Sequence, residues 1–164
     1  MAIDIIKRQD QLILSQITFC LDIDSWKRYK SEVPLKWKFV KFEKNNRDEI
    51  PESSGVYGFF IKPSVAGFQE NSYLIYIGKA GDNSKNNLRK RFMQYYNGMK
   101  GDRRPKLNRA LKKWEKYIYF YYSSIADKRY SLSKLEEDLN NAFVPPYNEN
   151  DFSTEVRKIV KVLR

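Results

Sequence analysis

Apolar positions along the chain change their period several times, and each change marks an element. Residues 2–18 place Ile5, Ile6, Leu12, Ile13, Leu14 and Ile17 at helical spacing with Gln and Ser between them, which predicts a helix. Leu35 to Phe42 alternates for most of its length and predicts a strand with one charged face. The next stretch, Glu43 to Ser54, is polar and contains Pro51, so it reads as a linker or long loop. Two short apolar runs follow, 56–61 between Gly55 and Pro63 and 73–77 before Gly78; both predict buried strands, joined as a hairpin. Leu88, Phe92, Tyr95 and Tyr96 mark a helix ending near Gly98. Pro105 opens another, with Leu107, Ala110, Leu111 and Trp114 on one face and Lys106, Arg109, Lys112, Lys113 and Lys116 around the rest. Tyr117 to Tyr122 supplies a third aromatic strand, Leu132 to Phe143 a helix, and Val156 to Leu163 a basic C-terminal helix. There is no internal repeat and no low-complexity tract.

Composition narrows the chemistry. The 164 residues suffice for one domain with a proper core plus an appended element. The chain has no histidine and one cysteine, Cys20, which excludes Ser-His-Asp and Cys-His catalysis, histidine-metal nucleases and ordinary zinc sites. Any metal should be a hard cation held by oxygen. No disulfide framework, no signal-peptide pattern and no apolar run near the roughly 18 residues that span a bilayer are present. The expectation is a soluble, cytoplasmic protein.

The formal net charge is +11, and thirteen Lys or Arg against three acids between Lys79 and Lys116 account for +10 of it. Interleaved with Phe92, Tyr95, Tyr96 and Trp114, this is the footprint of a phosphate-backbone binder; the plainer reading is the solvated face of a basic protein. No helix combines a wide apolar face with low charge, which argues against a membrane surface.

One carboxylate is out of place. Leu132, Leu139 and Phe143 define an apolar stripe, and Glu136 falls within it, whereas Glu137 and Asp138 point away. A carboxylate there needs compensation from a metal ion or basic cluster. The alternative is a capping box, with Ser133 as N-cap and Glu136 as the third helical residue. Arg89 and Arg91 flank the stripe of their own helix, where an aliphatic stem over the core is the ordinary fate of arginine. Tyr57 and Tyr76 read equally as core aromatics, Gly78 as a turn, and Asn148 after Pro145-Pro146-Tyr147 as a turn residue.

Taken in order, Gly55-Val56-Tyr57, Tyr76-Ile77-Gly78-Lys79, Leu88-Arg89-Lys90-Arg91, Leu135-Glu136-Glu137-Asp138-Leu139 and Pro145-Pro146-Tyr147-Asn148 resemble the GIY-YIG endonuclease family over residues 55 to 148. The gap between the two tripeptides is longer than the family's usual one, and Gly81 to Asn87 lengthens the loop before the arginine helix. The resemblance implies an α+β module, a small antiparallel three-stranded sheet flanked by helices, at 51–150. It leaves an N-terminal extension at 1–50 and a C-terminal basic helix at 151–164.

By position, the resemblance implies Tyr57 and Tyr76 as active-site tyrosines, Lys79 beside them, Arg91 on the phosphate, Glu136 on one Mg²⁺ or Mn²⁺ ion and Asn148 as a positioning residue. Arg91 is preferred to Arg89 because the family's arginine closes a Leu-x-x-Arg element, begun here by Leu88. Arg89, Lys90, Arg103, Arg104, Lys106, Arg109, Lys112 and Lys113 are left to grip DNA. Phosphodiester hydrolysis needs an activated water, a cation for the developing charge and help for the leaving oxygen. A phenolic base would need a nearby cation to lower its pKa, and Lys79, three residues beyond Tyr76, is the expected one. The implied function is a metal-dependent DNA endonuclease. The competing reading is a non-cleaving nucleic-acid-binding or partner-binding module on the same fold; a ribosomal or RNA-packaging protein would explain the charge but not Glu136. Residues 1–50 and the C-terminal helix remain for specificity, a protein partner or self-association.

Overall fold

The computed structural model describes residues 17–63, 71–81, 86–98 and 104–163. Most of the helix expected at 2–18, the loop 64–70 and Arg103 lie outside them. The elements are α1 (Ile23–Arg28), β1 (Lys38–Lys41), β2 (Gly55–Ile61), β3 (Tyr73–Ala80), α2 (Leu88–Gly98), α3 (Pro105–Lys113), β4 (Ile118–Ser124), α4 (Leu132–Phe143) and α5 (Thr154–Leu163). Short stretches of tighter helix occupy Lys44–Glu49 and Glu115–Tyr117. None of the described helices is long and apolar enough to cross a membrane.

The fold is α+β, and its sheet is entirely antiparallel in the order β1-β4-β2-β3. It has four strands where three were expected. The fourth is β1, assigned above to the N-terminal extension: Phe39 pairs with Tyr121 and Val40 with Phe120, and Val40 is buried in the same core as Phe120. The supposed linker is likewise anchored. Ile50 is fully buried, and Arg89 on α2 donates to its carbonyl at 2.8 Å and pairs with Glu52 at 2.7 Å. α1 was not anticipated; its signal is the N-cap Asp22, whose carboxylate accepts from the Ser25 N–H at 2.9 Å.

Strand alternation sorts side chains onto two faces. Tyr57, Phe59, Tyr76, Phe120 and Tyr122 point one way, into a core closed by Leu88 and Phe92 of α2 and Leu107 and Leu111 of α3. Val56 and Ile77 point the other way, against Leu132, Leu135 and Leu139 of α4. α3 opens as the sequence suggests, with Pro105 in its first position, and at the start of α2 Asn87 Oδ1 accepts from the Lys90 N–H at 2.7 Å.

Gly55 shows how tightly β2 and β4 are pressed together. A Cβ there would lie 2.1 Å from the Ser123 carbonyl oxygen, a backbone atom with nowhere to go. Gly55→Ala is therefore expected to destabilise the protein by about 3 kcal/mol, the upper end of the ordinary overpacking range, read as a lowered urea midpoint. An unchanged midpoint would mean that β2 slides at no cost.

Candidate functional site

The site gathers at the β3 edge of the sheet. Gly78 has no side chain because the Tyr57 phenol crosses it: a Cβ there would lie 2.5 Å from Tyr57 Oη. Tyr57 and Tyr76 are both buried, and Tyr95 of α2 stands between them. Tyr57 and Tyr95 hydroxyls hydrogen-bond at 3.3 Å, the Tyr76 and Tyr95 ring centres lie 6.0 Å apart, and Arg104 donates to Tyr76 Oη with its guanidinium 5.1 Å from the ring centre. Three phenols and an arginine thus form one cluster. Arg104 reaches it from a left-handed backbone (φ 56°) just before Pro105, a conformation that disfavours most residues.

Burial sets the protonation of these phenols. It pushes Tyr57 well above its ordinary value, with Tyr95 and Tyr76 adding and Arg91 opposing. It does the same to Tyr76, where Tyr95 adds and Arg104 opposes. Both are neutral at pH 7. The opposing cation at Tyr76 is Arg104 rather than Lys79, which corrects the expectation for Lys79. Three steps along a strand reverse the side chain's direction, so Lys79 emerges on the face of Val56 and hydrogen-bonds Ser133 of α4.

Lys79 is instead a neighbour of Glu136. The N-cap of α4 is Ser131, whose Oγ accepts from the Lys134 N–H at 3.2 Å, so the capping box proposed for Ser133 and Glu136 does not form. The Glu136 carboxyl is pushed up to about 7, chiefly by burial and then by Asp151; Lys79, through its charge and its backbone N–H, and Arg104 oppose the rise. Asn148 ties Asp151 to the sheet. Fully buried, it accepts from the Ile77 N–H at 2.9 Å and donates to the Ile77 carbonyl at 2.8 Å, completing the open edge of β3 as a strand would, and it donates to Asp151 Oδ2 at 3.1 Å. A cleft of about 280 Å³ opens beside them, lined by Arg104, Lys106, Tyr147, Glu149 and Asp151.

Arg91 points its charge towards Tyr57, and its Nε is buried with no hydrogen-bond partner among the described residues. Arg89 is fully engaged with the 48–52 segment. On α3, Arg109 and Lys112 are exposed, Lys106 pairs with Glu149 at 2.8 Å, and the Lys113 ammonium lies 5.4 Å over the Trp114 ring; Lys90 is exposed on α2. The structure thus brings Tyr57, Tyr76, Lys79, Glu136 and Asn148 to the β3 side of the sheet, sets Arg91 against Tyr57, and spreads Lys90, Lys106, Arg109, Lys112 and Lys113 along α2 and α3.

Tyr95, Asp151 and the contact of Arg104 with Tyr76 escaped sequence reasoning. Tyr95 was legible as an inward residue seven beyond Leu88, though its hydroxyl partner was not. Asp151 sits in a polar turn without any period. Among the described residues no three His, Cys, Asp or Glu side chains cluster. The Glu136 and Asp151 pair nonetheless fits a hard cation: two carboxylates repel one another in a desolvated site, and Mg²⁺ is commonly held by one or two carboxylates, with water and phosphate oxygens completing its shell. Comparison of the chain with protein-family models, curated proteins and solved structures gives no match.

Proposed function

We propose that this chain is a divalent-cation-dependent endonuclease of the GIY-YIG kind, cutting phosphodiester bonds in DNA. The observation that carries the reading is the Arg91 Nε, buried beside the Tyr57 phenol with no hydrogen-bond partner among the described residues, while Nη1 of the same guanidinium donates to Gln94 at 3.0 Å. A buried guanidinium N–H without an acceptor calls for an anion, and a phosphate oxygen supplies it with the right charge. Glu136 and Asp151 would hold the ion, which when bound supplies Lewis-acid stabilisation at phosphoryl oxygens.

The chain's own residues divide the remaining work. Arg91 binds and orients the scissile phosphate. Tyr76, with Arg104 on its oxygen, is the phenol whose deprotonation a cation favours, and Tyr95 stands beside it with its hydroxyl bonded to that of Tyr57. Asn148 fixes the β3 edge and Asp151 together. Lys79 holds Glu136 towards its ionised form.

The test is incubation of the protein with supercoiled plasmid and with RNA, with and without Mg²⁺. Nicked or linear DNA appearing only with the cation supports the proposal. DNA binding with no cleavage under either condition rejects it in favour of the non-cleaving module.

The basic face of α3 carries a separate expectation. Arg109→Ala, Lys112→Ala and Lys113→Ala together should weaken DNA binding across sequences and reduce the salt slope by roughly 0.9 for each phosphate left without its cation. A slope identical to the wild type would assign this face to solvent.

A further inference from the structure

The sheet face away from the tyrosine cluster holds, at its β1 end, an aromatic surface that the cleavage reading does not use. Phe39 and Tyr121, paired across β1 and β4, stack at 4.8 Å and 21°. Phe60, paired with Tyr119 across β2 and β4, lies 4.3 Å from Tyr121. Over these rings sits the Lys62 ammonium, 4.6 Å from the Phe39 centre and 4.9 Å from that of Tyr119. Cross-strand aromatic pairs ordinarily shield one another, yet Phe39 is 51% exposed and Trp37, two residues before it on the same face, is 40% exposed. Of the nearby lysines, Lys41 shares the Phe39 face and pairs with Glu43 at 2.5 Å, whereas Lys36 and Lys38 alternate to the Val40 face.

We propose that this face binds single-stranded nucleic acid, stacking unpaired bases on the rings of Trp37, Phe39 and Tyr119 while Lys62 meets the phosphates. Every base has a π-face, so an exposed aromatic platform with interleaved cations suits a single strand of any sequence. A duplex hides those faces. The ammonium over Phe39 marks the electron-rich side of the ring and is replaceable by a base, after which Lys62 is within reach of the adjoining phosphate. A protein partner fits less well, because lysine is depleted from the centres of protein interfaces.

The test is fluorescence anisotropy with the full chain in EDTA, using labelled oligothymidine and a duplex of equal length, so that cleavage plays no part. Phe39→Leu with Tyr119→Leu keeps apolar bulk without π-faces and should weaken single-strand binding about tenfold or more while leaving duplex binding within about twofold. Phe39→Trp restores a ring at an exposed position and should retain wild-type single-strand affinity. Equal losses on both nucleic acids, no loss on either, or a weakened Phe39→Trp would each overturn the proposal. So would a change in the protein's own sedimentation in place of single-strand affinity, which would mark the face as a protein contact.

Discussion

Glu136→Gln should lower cation-dependent cleavage by about a hundredfold or more, the scale of losing a preorganised charge at a reacting centre, while DNA binding persists. The same substitution has a stability signature independent of activity. In the folded protein the Glu136 carboxyl titrates at about 7 against an ordinary 4.5, so the fold favours its protonated form. That contribution is fully present below the ordinary value and is lost as pH rises through about 7. The displacement corresponds to on the order of 3 kcal/mol between the two ends of the window.

Glutamine stays neutral throughout. The melting temperature of Glu136→Gln should therefore match the wild type near pH 4.5, exceed it increasingly through pH 7, and then hold a constant lead. Mg²⁺ at alkaline pH should shrink that lead by stabilising the wild-type carboxylate, with no effect on the variant. Calorimetry across the window reads both effects. A lead that does not vary with pH would show that the carboxyl is not desolvated, and full cleavage by the variant would remove Glu136 from the site altogether.

Why so much of this site is legible in one sequence follows from the constraints on its parts. The glycines of the two tripeptides answer to local sterics: Gly55 faces a backbone carbonyl and Gly78 a phenol. α4 was delimited by period alone, and Glu136 declared itself by breaking that period. What escaped depends on contacts between elements. Counting residues put Lys79 near Tyr76, but strand alternation carried it to the opposite face, while Arg104, twenty-eight positions away, reached the phenol through a left-handed turn. β1 was read as a strand, yet nothing local specifies β4 as its neighbour; only the shared burial of Val40 and Phe120 does. Asp151 owes its place to Asn148, whose side chain is satisfied by an edge strand more than seventy residues earlier.

The assignment of cations to acids predicts two variants that both lose activity but answer differently to Mg²⁺. Arg104→Met removes the guanidinium on Tyr76 Oη, so a phenol already raised by burial gives up its proton less readily. Single-turnover cleavage at saturating protein should fall about a hundredfold, the lower end of what a positioned proton-transfer group contributes, and the remaining rate should climb towards alkaline pH at every Mg²⁺ concentration. Lys79→Met acts on the other half of the site. Glu136 loses the foremost charge opposing its burial, its carboxyl moves above about 7, and ion loading shifts to higher pH. Because a cation competes with that proton, raising Mg²⁺ should return the Lys79→Met profile towards the wild type and leave the Arg104→Met profile where it is. Arg104→Lys should lie between, since an ammonium keeps the charge without the planar fork. If both variants respond to Mg²⁺ alike, the division of labour is wrong, and the two residues serve one electrostatic purpose. If both weaken binding yet cleave at the normal single-turnover rate, they contact only the phosphate backbone.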